Sequence, residues 1–153
     1  MLGLTGYLVR RKRVYVDAKI VGMENSKNRT VYVGYKVEGT NLKGARRVEP
    51  SAEEILETDD AEIHAILFAI EEMKENKIQK FDVICDHQSV VSEALRKDKE
   101  PKNKLLIHLR KIRDDNPMIG LRALQFNQAH KVVTDFANEQ KAGESKVIQP
   151  SPV

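Results

Sequence analysis

The sequence predicts an α/β domain built on one five-stranded mixed sheet, a three-strand antiparallel meander plus two parallel strands, with helices on both faces. Three observations carry that expectation. The first third of the chain is rich in Val, Ile and Tyr, in runs joined by short polar turns, which reads as a meander. Beyond Thr58 helical periodicity takes over, interrupted by two short strand-like runs; strands separated by helices imply parallel neighbours in the same sheet. A length of 153 residues gives one domain with a genuine core and is too short for two comfortable ones.

Each element has its own signal. Arg13 to Val21 alternates and is the first strand; Gly22 to Asn28 is polar and turn-forming. Thr30 to Val37 is the second strand, closed by the turn Gly39-Thr40-Asn41, and Leu42 to Val48 is a weaker third strand that contains Gly44. Ala61 to Asn76 is a helix with Thr58 or Asp59 as its N-cap. Phe81 to Cys85 is a short apolar strand buried on both faces. Ser89 to Lys97 is a helix, and Pro101 permits a fresh start for another through Arg113, which Asn116-Pro117 breaks. Ile119 to Phe126 is the fifth strand and Ala129 to Lys141 the last helix. Residues 1–143 are therefore expected to form the domain, and 144–153, ending Gln-Pro-Ser-Pro-Val, a flexible tail.

Composition narrows the function classes. A single cysteine, Cys85, rules out an intramolecular disulfide, and nothing points to secretion. The basic run Arg10 to Arg13 has no apolar segment of signal-peptide length beside it, and no stretch approaches a membrane span. A cytoplasmic protein with no membrane association is the expectation. The net charge of +3 leans basic, with clusters at Arg10 to Arg13, Lys43/Arg46/Arg47, Arg96/Lys97/Lys99 and Lys102/Lys104. Such clusters can neutralise phosphates or simply face solvent; they gain meaning only around a catalytic centre.

Four acidic residues occupy places where a carboxylate is out of character. Asp17 interrupts a β-rich run, Asp86 caps Phe81 to Cys85, and Asp135 lies in Val132-Val133-Thr134-Asp135-Phe136-Ala137. Glu62 is the sharpest case: Ala65, Ile66, Ala69 and Met73 follow it at helical spacing, so it faces the sheet. Carboxylates near a core are costly unless paired or bound to a cation, and hard divalent ions take oxygen ligands of this kind. In an open α/β sheet, positions beyond the carboxyl ends of the strands converge on ligand sites.

In order and surroundings these residues resemble the type 1 ribonuclease H family, in its compact archaeal and bacterial form. The matching segments are Val14-Tyr15-Val16-Asp17, Thr58-Asp59-Asp60-Ala61-Glu62, Asp86-His87-Gln88-Ser89-Val90-Val91 and Thr134-Asp135-Phe136-Ala137-Asn138, and the resemblance covers about Arg13 to Gly143. It implies hydrolysis of the RNA strand of RNA/DNA hybrids, with Asp17, Glu62, Asp86 and Asp135 as catalytic ligands of two Mg2+ or Mn2+ ions. It further implies nucleic-acid contacts at Ala18, Lys19, Lys43 and His87, and a residue assisting turnover near the last helix, where His130 stands. The chain departs from the family pattern at Ala18 (usually Gly), His87 (usually Ser), Lys131 (usually Asn) and Thr134 (usually Ala). The competing expectations are a non-catalytic nucleic-acid-binding module on the same fold and a structural or protein-interaction module. An ATPase would need glycine-rich phosphate loops that the sequence lacks.

Overall fold

The alternating run near the start of the chain becomes the centre of the sheet. The computed structural model describes residues 11–22, 30–48, 58–101, 103–125 and 127–148. Strands β1 (Lys12–Val21), β2 (Thr30–Val37) and β3 (Lys43–Val48) form the expected meander, followed by helix α1 (Thr58–Glu75) and strand β4 (Phe81–Cys85). Helices α2 (Gln88–Leu95) and α3 (Lys104–Asp115), strand β5 (Ile119–Ala123) and helix α4 (Ala129–Ile148) complete the chain. The sheet order is β3-β2-β1-β4-β5, with the meander antiparallel and β4 and β5 parallel to β1. The predicted architecture is the observed one.

Strand alternation splits the core in two. Val14, Val16, Val33, Tyr35, Val83 and Cys85 are buried with Ile63, Ile66, Ala69 and Met73 of α1 in the main cluster. At about 1.5–3 kcal/mol for each large aliphatic side chain removed from water, this cluster is the chief stabilising element. Residues of opposite parity, Tyr15, Tyr32 and Ile84, pack under Ala129, Val133 and Ala137 of α4. Arg11 ties the entry of β1 to the two parallel strands: its Nε donates to Asp82 at 2.8 Å and its guanidinium to the Met118 carbonyl at 2.7 Å.

Several boundaries differ from expectation for identifiable reasons. Helix α1 closes in a Schellman motif, with Ile78 N–H on the Met73 carbonyl and Lys77 N–H on that of Lys74, so Lys77 takes the left-handed φ of 60°. Helix α2 stops at Leu95 because Arg96 is extended, its side chain held by Asp98 at 2.8 Å. Asn103, not Pro101, starts α3: its side chain accepts from the N–H groups of Leu105 and Leu106. Strand β5 ends at Ala123, and α4 runs past Lys141 to Ile148. Arg10, the expected turn after Gly22, Lys102, Phe126 and the last five positions lie outside the described residues.

Candidate metal centre

Sheet register brings the first two carboxylates together. Strand β4 pairs with β1 from Lys12↔Phe81 to Tyr15↔Ile84 and ends at Cys85. Continuing the same offset sets Asp86 beside Asp17, where parallel strands lie about 4.8 Å apart. Strand β1 runs on to Val21 beyond its last β4 partner among the described residues, and in open α/β sheets ligand sites form as a crevice beyond such carboxyl ends. Asp17 points to the α4 face of the sheet, since its partner across β2 is Gly34, against which Val133 packs.

Glu62 reaches the same place from the other face. It lies in the second turn of α1, and its stripe of Ala65, Ile66, Ala69 and Met73 is fully buried. Its Oε2 accepts from the Cys85 thiol at 3.5 Å, and oxygens of Glu62 and Asp86 lie within 4.8 Å of each other and of Cys85 Sγ. Asp17 and Glu62 are each only 5% exposed, the sole buried charged residues among those described, whereas Asp86 is open to solvent.

The electrostatics are those of anions short of a cation. Burial, then the charges of Asp17 and Asp86, push Glu62 up to about 8. Burial likewise raises Asp17, with the hydrogen bond to His130 working against the rise and the charge of Asp86 adding to it. Cys85 is driven far above its ordinary value by burial and by Glu62, so it is a thiol that donates to the carboxylate. No lysine or arginine figures among the groups acting most strongly on Asp17 or Glu62. Clustered oxygen donors that repel one another in a low-dielectric crevice suit a hard divalent ion. The residues present therefore fit such an ion, with Asp17, Glu62 and Asp86 as oxygen donors.

Asp135, the fourth anticipated carboxylate, is exposed. It lies on α4 with 54% of its side chain exposed and accepts from Lys131 at 2.8 Å. The α4 residue that meets Asp17 is His130, whose Nδ1 is 2.9 Å from Asp17 Oδ2. Five residues separate the two positions, which is about 140° of rotation and 7.5 Å of rise along a helix. Asn127 fixes which of them reaches the site. Its amide donates to the Val16 carbonyl at 2.5 Å and its side-chain oxygen accepts from Ala129 N–H at 2.9 Å, so the first turn of α4 is pinned to β1 beside Asp17.

The other anticipated contacts are spread around this centre. The Ala18 backbone donates to the Asp17 carboxyl, and Lys19 is half-buried on the same face of β1, two residues on. Lys43 is exposed at the start of the edge strand β3, two strands away. His87 is committed elsewhere: its Nε2 pairs with Asp59 at 2.8 Å, joining the starts of α1 and α2, while its N–H donates to the Cys85 sulfur at 3.4 Å. Sequence reasoning missed Cys85, Asn127 and Gly34 as parts of this site. Asn127 two residues before a helix start carries a capping signal; the other two have none without the fold.

No known protein-family model matches the chain, and no characterised protein matches it by sequence. Solved structures do resemble it. An LC11 ribonuclease H1 in complex with an RNA/DNA hybrid superposes with a TM-score of 0.60 at 14% identity, over 80% of this chain and 93% of that one. Ribonuclease H1 of the halophilic archaeon Halobacterium salinarum gives 0.58 at 15% identity, over 83% and 93%. The N-terminal ribonuclease H domain of Rv2228c from Mycobacterium tuberculosis, solved as a fusion with maltose-binding protein, gives 0.61 at 12% identity, over 88% and 98%. The chain has the ribonuclease H fold.

Proposed function

We propose that this protein is a metal-dependent endonuclease of the ribonuclease H type, hydrolysing the RNA strand of RNA/DNA hybrids with two Mg2+ or Mn2+ ions. The observation that carries the reading is the convergence of Asp17, Glu62 and Asp86, from a strand, a helix and a strand end, with no lysine or arginine among the groups acting most strongly on Asp17 or Glu62. Bound ions would supply an activated water and stabilise the leaving 3′ oxygen. The chain's own part is to hold oxygen donors rigidly on secondary structure, so that the scissile phosphate is met by preorganised charge. Exposed Asp86 faces incoming substrate, buried Asp17 and Glu62 form the floor, and Lys19 beside Asp17 is placed for a backbone phosphate. Discrimination of RNA would come from contacts to 2′-hydroxyls along the crevice rim.

The test is cleavage of a labelled RNA/DNA hybrid with Mg2+ or Mn2+ by wild type, Asp17→Asn and Asp86→Asn. Wild type is expected to cut, and each variant to lose about 10²–10³-fold or more in rate while retaining hybrid binding. Binding without cleavage by all three would favour the non-catalytic module; neither binding nor cleavage would sink both readings and leave only the fold.

A further inference from the structure

We propose that the fourth group of this centre is the imidazole of His130, supplying nitrogen to the ion held by Asp17, and that the site in consequence favours Mn2+ over Mg2+. The inference rests on the metal-dependent reading above and sets His130 in the place that the sequence resemblance implied for Asp135. Two adjacent ligands on an octahedral ion with bonds of about 2.1 Å stand about 3 Å apart. His130 Nδ1 and Asp17 Oδ2 are 2.9 Å apart, which matches that spacing, so one ion can take both once the imidazole gives up its proton on this nitrogen and turns its lone pair from the oxygen to the ion. His130 is 75% exposed on the crevice rim, which leaves an approach open, while the carboxylate beneath it is 8% exposed and fixed on the central strand.

The placement is built, not incidental. Asn127 binds the first turn of α4 to the Val16 carbonyl, one residue from Asp17. Gly34, directly across from Asp17, lets Val133 settle onto the sheet: a Cβ there would meet Val133 Cγ2 at 2.7 Å. Both contacts hold the α4 backbone at the height that puts His130, and not the residue a turn and a half later, over the carboxylate. Asp135 meanwhile has its own cation in Lys131. Oxygen-only sites suit Mg2+, whereas an imidazole donor raises affinity along the transition series. His130 meets Asp17, while Glu62 and Asp86 have oxygens within 4.8 Å of each other, so the nitrogen belongs to the ion held by Asp17.

The experiment is Mn2+ and Mg2+ titration by calorimetry on wild type, His130→Ala, His130→Asp, Asp135→Ala and Asp17→Asn, with pulsed EPR of the Mn2+ complexes. Circular dichroism checks that the variants fold. Wild type should show a 14N coupling that vanishes in His130→Ala, where Mn2+ affinity drops about 10–100-fold. His130→Asp should keep Mg2+ binding and lower the Mn2+/Mg2+ ratio, and Asp135→Ala should match wild type. Mn2+ bound without nitrogen coupling, or Asp135→Ala losing affinity as Asp17→Asn does, would overturn the inference and leave the nuclease reading intact. A wild type that binds neither ion would overturn both.

Discussion

Glu62→Gln is expected to make the metal-free protein more stable, by an amount that grows with pH. In the unfolded chain this carboxyl ionises near 4.5; in the fold burial and the charges of Asp17 and Asp86 hold it at about 8. Between those values the unfolded state binds fewer protons than the native state, so stability is lost as pH rises through the window and is recovered as pH falls towards 4.5. At roughly 1.36 kcal/mol per unit, the wild type forgoes about 3 kcal/mol at pH 7, approaching about 5 kcal/mol above pH 8. Glutamine never ionises and its carbonyl can still accept from the Cys85 thiol, but its buried amide hydrogens cost about 1 kcal/mol. The net gain at pH 7 is about 2 kcal/mol, or about 4–8 °C in Tm for a chain of this size. Urea unfolding of both proteins in EDTA, at about pH 5, 7 and 8.5, measures it. Equal or lower stability of the variant at the highest pH, or a gap that does not shrink towards pH 5, would refute the electrostatic account. Divalent ion at about a hundred times its Kd should then add about 2.7 kcal/mol to wild type and much less to the variant.

Asn127→Ala removes both the tie to the Val16 carbonyl and the cap on Ala129; a loss of about 1–2 kcal/mol in chemical denaturation is expected, with weakened divalent-ion binding. Gly34→Ala drives a methyl against Val133 and is expected to destabilise by about 1–3 kcal/mol; adding Val133→Ala should recover part of the loss, and an additive double variant would contradict the packing argument. Arg11→Ala frees Asp82 and the carbonyls of Phe81 and Met118 at the sheet end away from Asp86; about 1 kcal/mol of stability is expected to go, with hybrid cleavage unchanged.

Much of this molecule is legible in the chain because its signals are local. Strand alternation and helical spacing depend on neighbours a few residues away, which is why the element order and the burial of Glu62 over Ala65, Ile66, Ala69 and Met73 follow from pattern alone. Asp17 and Asp86 could be suspected for the same reason, as acids at strand positions in an α/β sheet. Which α4 residue meets Asp17 could not. Asp135 and His130 both look plausible on the helix, and the choice depends on how far α4 slides along the sheet before it docks. That height is set by Asn127 on Val16 and by Val133 over Gly34, contacts across about a hundred residues of chain, and they deliver His130. Helical periodicity defines a helix's faces; only packing against the rest of the fold decides where along its length each face is put to use.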